Sequence, residues 1–185
     1  MNPCSSSSSL RRPGWRRLVL GLALVFLAPW HAAAQTEEAV KAGFLYNFAK
    51  LATWPDSAFA SGAAPLVVGF SGGSTLADTF ERATRGKNVN GRDFVVTQLN
   101  GAAGVERCQM IYIAEDGQLD AVLGAARGKP ILIVGDPEAL LDRGGMLRFA
   151  KSGAKILFDL HAGAVASAGL SLDPKLPKMA RTVKN

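Results

Sequence analysis

The chain has 185 residues, 48% hydrophobic and 19% charged, with 20 glycines, 9 prolines and 2 cysteines, a globular composition that excludes a disordered chain and a cysteine-built scaffold or four-thiolate zinc site. The net charge of +6 suggests an anionic partner until its distribution is read. Arg11, Arg12, Arg16 and Arg17 precede an apolar run from Leu18 to Ala28, followed by Pro29 and Ala32, Ala33, Ala34.

That order is a charged n-region, an h-region and an A-x-A site, so residues 1–34 are expected to be a signal peptide cleaved after Ala34, leaving one domain over 35–185 in the periplasm. The apolar run is about half the ~20 residues that a membrane span requires. Cleavage takes four arginines from the 21 basic residues and none of the 15 acids, so the remaining charge is +2. Nucleic-acid binding thereby loses its support, because no clustered basic run remains.

From Gln35 onward the apolar period changes segment by segment. Val40, Phe44, Leu45, Phe48 and Leu51 fall on one face at helical spacing, and Pro55 stops that helix at Thr53 or Trp54. Tyr46, Asn47 and Lys50 lie off this stripe and are a candidate partner surface with Trp54, the alternatives being solvated helix surface and a core role for the indole. Leu66 to Phe70 reads as a buried strand and Thr75 to Thr84 as the next helix.

Between them, Ser71, Gly72, Gly73 and Ser74 form a glycine-rich turn without the Lys-Ser/Thr ending of a phosphate loop. Asp93 to Gln98, Met110 to Ala114 and Ile131 to Val134 read as further strands, and Gln118 to Arg127 as a helix. Asp136 and Pro137 suit the cap and first turn of a short helix. Met146 to Lys151 and Ala154 to Leu160 flank a hairpin turn at Ser152-Gly153. Helical segments are expected at Ala162 to Ala168 and Pro174 to Val183. Together these give an α/β fold with a mixed, mainly parallel sheet of about six strands, helices on both faces and a C-terminal β-hairpin.

In a parallel sheet the carboxyl ends of the strands share one edge, which would gather Ser71, Gly72, Gly73, Ser74, Asp116 and Asp136 at a small-ligand crevice, with ordinary turn chemistry as the alternative. His161 is the one histidine after the signal segment and is placed to cap a helix; a Ser-His-Asp or Cys-His constellation would have to use it as base, and a hydrolase would need either His161 or paired acids, with Asp136 a candidate. No metal-ligand cluster and no cofactor motif is visible. Cys108, alone once Cys4 is removed, is either a buried small hydrophobe or half of an intermolecular disulfide.

The blocks Val40-Lys41-Ala42-Gly43-Phe44-Leu45-Tyr46-Asn47-Phe48-Ala49-Lys50 with Trp54-Pro55, Gly86-Lys87-Asn88-Val89-Asn90-Gly91-Arg92, Cys108-Gln109-Met110-Ile111-Tyr112-Ile113, Gly144-Gly145-Met146, Phe158-Asp159-Leu160 and Ala168-Gly169-Leu170 resemble the YfiR family of exported proteins. The resemblance implies a periplasmic regulator, not an enzyme. It would repress a membrane-bound diguanylate cyclase by engaging its periplasmic sensor region, and so control cyclic di-GMP and biofilm formation. A histidine kinase is the other partner of that type, and a homodimer is expected. The namesake's intrachain disulfides have no counterpart here, since only Cys108 of that set is present. The competing reading is a periplasmic small-molecule binding component of a sensor or transporter.

Overall fold

The computed structural model describes residues 36–185; the expected signal peptide, its cleavage point and Cys4 lie outside them. The first helix, α1 (Glu37–Leu51), is capped by Thr36, whose hydroxyl accepts from the Ala39 N–H at 3.2 Å. Glu37 and Glu38 in its first turn and Lys50 in its last complement the helix dipole. It runs into β1 (Ala52–Thr53), and then come β2 (Leu66–Ser71), α2 (Ser74–Thr84), β3 (Asn88–Val89), β4 (Arg92–Leu99) and β5 (Met110–Ile113). The remainder is α3 (Leu119–Ala126), β6 (Leu132–Gly135), β7 (Leu147–Ser152), β8 (Lys155–His161), α4 (Ala162–Ser167), β9 (Ser171–Leu172), α5 (Lys175–Met179) and β10 (Thr182–Lys184).

The main sheet has eight strands in the order β10-β8-β7-β6-β5-β2-β4-β3, and a small second sheet pairs β1 with β9. Pairing is parallel from β7 through β6, β5 and β2 to β4, antiparallel in the β7–β8 hairpin and at β3, and parallel again between β8 and β10. The fold class expected from the sequence is therefore present, with two more strands. β3 is two residues long. β10 falls within the stretch expected to be helical to Val183, but Ala180 is extended and the Arg181 N–H donates to the Phe158 carbonyl at 2.8 Å, which draws the chain into the sheet.

Alternation along the central strands builds two cores. Phe70, Tyr112, Val134 and Phe149 face α1 and α2, while Ile111, Ile113 and Ile133 face α3 with Leu119 and Val122. The strands are apolar on both sides because both faces are covered. The buried face of α1 is Lys41, Ala42, Leu45, Phe48 and Ala49; Val40, Phe44 and Leu51 of the expected stripe are only half-buried. The short helix expected at Asp136 is absent, and residues 138–144 form turns instead.

Candidate functional site

Of the six residues expected to share a crevice, the structure keeps only Asp136 in a cavity with charged neighbours. Ser71 is fully buried at the end of β2. Gly72 and Gly73 have positive φ values, and the space beside them is taken: a Cβ on Gly72 would lie 3.1 Å from the Ala114 Cβ, and one on Gly73 would lie 3.0 Å from Tyr112 Cε1. Gly73 and Ser74 begin α2, the Gly73 carbonyl accepting from Leu76 and Ala77. Asp116 is exposed at the start of a 3-10 turn. These five residues lie in turns and packed positions, so the structure does not gather all six at one cavity.

Asp136 follows β6 and is held by a helix and a strand remote in sequence. Its Oδ2 accepts from the Lys41 Nζ of α1 and from the Tyr112 hydroxyl of β5, both at 2.6 Å. Lys41 also pairs with Glu37 one turn earlier at 2.9 Å, and Glu37 pairs with Lys151 of β7 at 2.6 Å. Burial works against the charge on Lys41, but the Asp136 and Glu37 carboxylates outweigh it and raise its pKa. Burial, then the bond to Asp136, pushes the Tyr112 phenol well above its ordinary range. The hydrogen bonds from Lys151 and Lys41 hold Glu37 low.

On the other side of β7, Asp159 is buried and receives Arg148 Nη2 at 2.6 Å and Arg181 through Nε at 2.8 Å and Nη2 at 2.6 Å. The Arg181 bond is the main cause that lowers its pKa, ahead of Arg148. Glu37, Lys41, Asp136, Arg148, Lys151 and Arg181 line a cavity of about 480 Å3 at the carboxyl end of β6, with Asp159 and Tyr112 behind its wall. Sequence reading missed Lys41, Glu37, Arg148 and Arg181. The i,i+4 spacing of Glu37 and Lys41 was the available signal. The arrangement fixes charges rather than poising a reaction: a protonated Lys41 has no free lone pair, and Tyr112 stays neutral as a donor.

The candidate partner surface divides. Trp54 is buried, and its Nε1 donates to the Gln109 carbonyl at 2.9 Å, so it closes α1 against β5 and leaves the partner surface. Asn47 and Lys50 are exposed and Tyr46 half-buried. Lys50 and Lys87 bring ammonium groups to 5.6 and 5.1 Å from the Tyr46 ring, which makes a basic aromatic patch. Cys108 is buried, its thiol donating to the Gly104 carbonyl at 3.5 Å, and burial raises its pKa to about 11. That places it as a small core hydrophobe, the first of the two readings, and a disulfide between chains, the other, does not fit so buried a position. His161 caps α4 by accepting from the Ala164 N–H at 3.2 Å. Among the described residues no group of three or more His, Cys, Asp or Glu side chains could hold a metal ion.

Comparison with known proteins gives a family match in sequence and several likenesses in fold. A family described as YfiR/HmsC-like matches residues 38–181. No curated protein matches the chain. A conserved domain protein from Vibrio cholerae O1 biovar El Tor superposes with a TM-score of 0.52 at 11% identity, over 80% of this chain and 60% of its own. The ABC domain in complex with L-Trp from Streptococcus pneumonia gives 0.50 at 9% identity, over 64% of this chain and 55% of its own. The chain thus spans less than two thirds of either structure, and the likeness is one of α/β fold.

Proposed function

From the premise that the chain belongs to the YfiR/HmsC-like family, we propose that it is an exported periplasmic repressor that docks on the sensor region of a membrane-bound diguanylate cyclase. The observation that carries the reading is the extent of the family match, residues 38–181, which takes in every helix from α1 to α5. A repressor of this kind acts by binding the inactive conformation of its partner more tightly than the active one, since equal affinity would shift nothing. The basic aromatic patch of Tyr46, Asn47 and Lys50 is the docking face, and a second copy or a histidine kinase in place of the cyclase leaves that logic unchanged.

Cellular cyclic di-GMP tests the reading. Deleting the gene raises it and restoring the wild-type chain returns it to the starting level; an unchanged level on deletion overturns the proposal. Export is tested by fractionation, with the processed chain starting at Gln35 in the periplasmic fraction.

A second reading, a small-molecule binding component, is favoured by a different cavity. Between α3 and α4 lies a space of about 480 Å3 floored by Leu123, Ile131, Ile133 and Met146 and rimmed by Arg127 and Lys129, a size suited to a small ligand. A thermal shift on adding a small amphiphilic acid such as salicylate, without any protein partner, supports that reading; no shift across such acids removes it.

A further inference from the structure

β4 runs past the end of one of its two strand neighbours. β2 pairs with it from Phe94 to Leu99, whereas β3 covers Arg92 and Asp93 alone. β3 starts no earlier because the chain is still leaving α2: the Lys87 N–H donates to the Thr84 carbonyl at 2.8 Å. From Phe94 to Leu99 the outer side of β4 is therefore the edge of the sheet among the described residues. The strand stops at Leu99, and the chain turns at Gly101 with a φ of +61°.

The ladder fixes which backbone groups are left over. The Val67 carbonyl accepts from Gln109 and the Ser71 carbonyl from Ala114, so Val67, Gly69 and Ser71 direct their backbone groups to β5, and Leu66, Val68 and Phe70 direct theirs to β4. Val68 lies opposite Val96 in parallel register, which carries its bonds to Val95 and Thr97. Phe94, Val96 and Gln98 therefore turn their N–H and C=O groups outward. Among the described residues the one further contact to these groups is the Thr97 hydroxyl, 3.5 Å from the Gln98 carbonyl. Residues 94–99 hold no charge and no proline, the devices that keep an exposed edge unpaired, and Val95 is 43% exposed. The opposite edge of the sheet, β10, carries Lys184.

We propose that a second copy of this chain covers this edge, its β4 lying antiparallel to the first about a two-fold axis at Thr97. Charge and space select that occupant. A groove of about 430 Å3 beside Phe94 to Val96 is rimmed by Glu81, Arg85, Lys87 and Asp93, two acids and two bases, none of them in an ion pair among the described residues. So balanced a rim suits a neutral strand over a charged one, and the chain's own Phe94 to Leu99 is neutral. With the axis at Thr97, Val96 exchanges both backbone bonds with Gln98 of the second copy, Val95 meets Leu99 of that copy, and no like charges face each other along the paired strands. The Gln98 side chain of the second copy then enters the groove, where its carboxamide can donate to Glu81 and accept from Arg85. An axis at Val96 would instead set Leu99 of the second copy opposite Asp93, the place that Asn88 holds. The inference goes beyond the docking reading above and does not depend on it.

Sedimentation velocity and residue-resolved amide exchange over a concentration series test this on the purified chain. A monomer–dimer equilibrium is expected, with exchange at the Val96 and Gln98 amides slowing as the concentration rises. The Val95 and Thr97 amides, already bonded to β2, should not change. Thr97→Lys, which brings two ammonium groups together at the axis, and Gln98→Pro, which removes an outward N–H, should each raise the dimer Kd about tenfold or more. Both should melt as the wild type does at concentrations where each is a monomer. If Gln98→Pro fails to fold, Thr97→Lys still decides. A monomer at every concentration overturns the proposal. So does a dimer that forms without protection at Val96 and Gln98 and with wild-type affinity in the variants, which assigns self-association to another face. Protection of these amides only on adding the periplasmic domain of a diguanylate cyclase assigns the edge to that partner and also overturns the proposal, with the docking reading left standing.

Discussion

Lys41 and Asp136, ninety-five residues apart, meet at 2.6 Å where the first turns of α1 cross the carboxyl end of β6. Lys41 is 7% exposed and also lies 5.6 Å from the centre of the Phe149 ring, so its stem packs in the core while its charge answers two carboxylates. Replacing it by methionine keeps the stem and removes the charge, leaving Asp136 with Tyr112 as its donor. Breaking one side of a buried pair is costly, and the partial exposure of Asp136 reduces the effect to about 2 kcal/mol. Urea denaturation should show a lower midpoint for Lys41→Met with an unchanged slope.

Asp159 sets an acid limit on stability. Arg181 and then Arg148 hold its pKa below the ordinary value of aspartate, so the unfolded chain takes up the proton first as pH falls. The stabilisation is complete above the unfolded value of about 4 and is lost as pH drops from there through the lower folded value. Glu37, also held low, adds to the same limb. Urea unfolding between pH 7 and pH 3 should show this decline, flattened in Asp159→Asn, which at pH 7 is less stable by about 1 to 3 kcal/mol.

Gly69 and Cys108 are coupled through one contact. A Cβ on Gly69 would lie 2.8 Å from the Cys108 sulfur and 2.7 Å from Leu99 Cδ1. Gly69→Ala is therefore expected to cost about 1 to 3 kcal/mol by overpacking, and Cys108→Ala should recover part of it in a double-mutant cycle. In the wild type the thiol should react with an aromatic disulfide reagent only after unfolding, because it is buried with a pKa of about 11. Rapid labelling of the native chain would contradict this placement.

Trp54 reports on the junction of α1 with the sheet. It is the one tryptophan among residues 35–185, and its indole donates to the Gln109 carbonyl. Native fluorescence should be blue-shifted and move to the red in urea. Trp54→Phe removes one hydrogen bond and should lower stability by about 1 kcal/mol, seen by circular dichroism.

The Tyr46 patch separates binding from folding. Asn47→Ala with Lys50→Glu alters only exposed positions of α1, and reversing the charge in its last turn should lower stability by only about 1 kcal/mol. The same pair should fail to restore low cyclic di-GMP in a deletion strain. Full repression by the doubly substituted chain would remove this face from the docking surface.

The order of strands and helices was readable in the amino-acid pattern because period-2 and period-3.6 burial are local consequences of backbone geometry. Leu66 to Phe70, Met110 to Ala114 and Ile131 to Val134 carry enough apolar residues to identify buried strands. The patterns of β3 and β10 were too short, and β10 is a strand because Phe158 offers a carbonyl to Arg181, a bond between distant residues. The same limit hid the site. Asp136 was legible as a polar residue after a strand, but local rules made it a helix cap.

Sequence by itself determined the α/β class, the family, the cap at His161 and the hairpin, whose turn falls at Gly153-Ala154, one residue beyond the expected Ser152-Gly153, since each depends on residues close along the chain or on the whole pattern of blocks. Tertiary structure decided that Lys41 is buried, that Asp136 binds it, that Trp54 and Cys108 belong to the core, and that β4 runs past the end of β3. Those outcomes depend on which faces meet when the sheet closes, and the free energy of a charge or an edge is set by the neighbours it is given there.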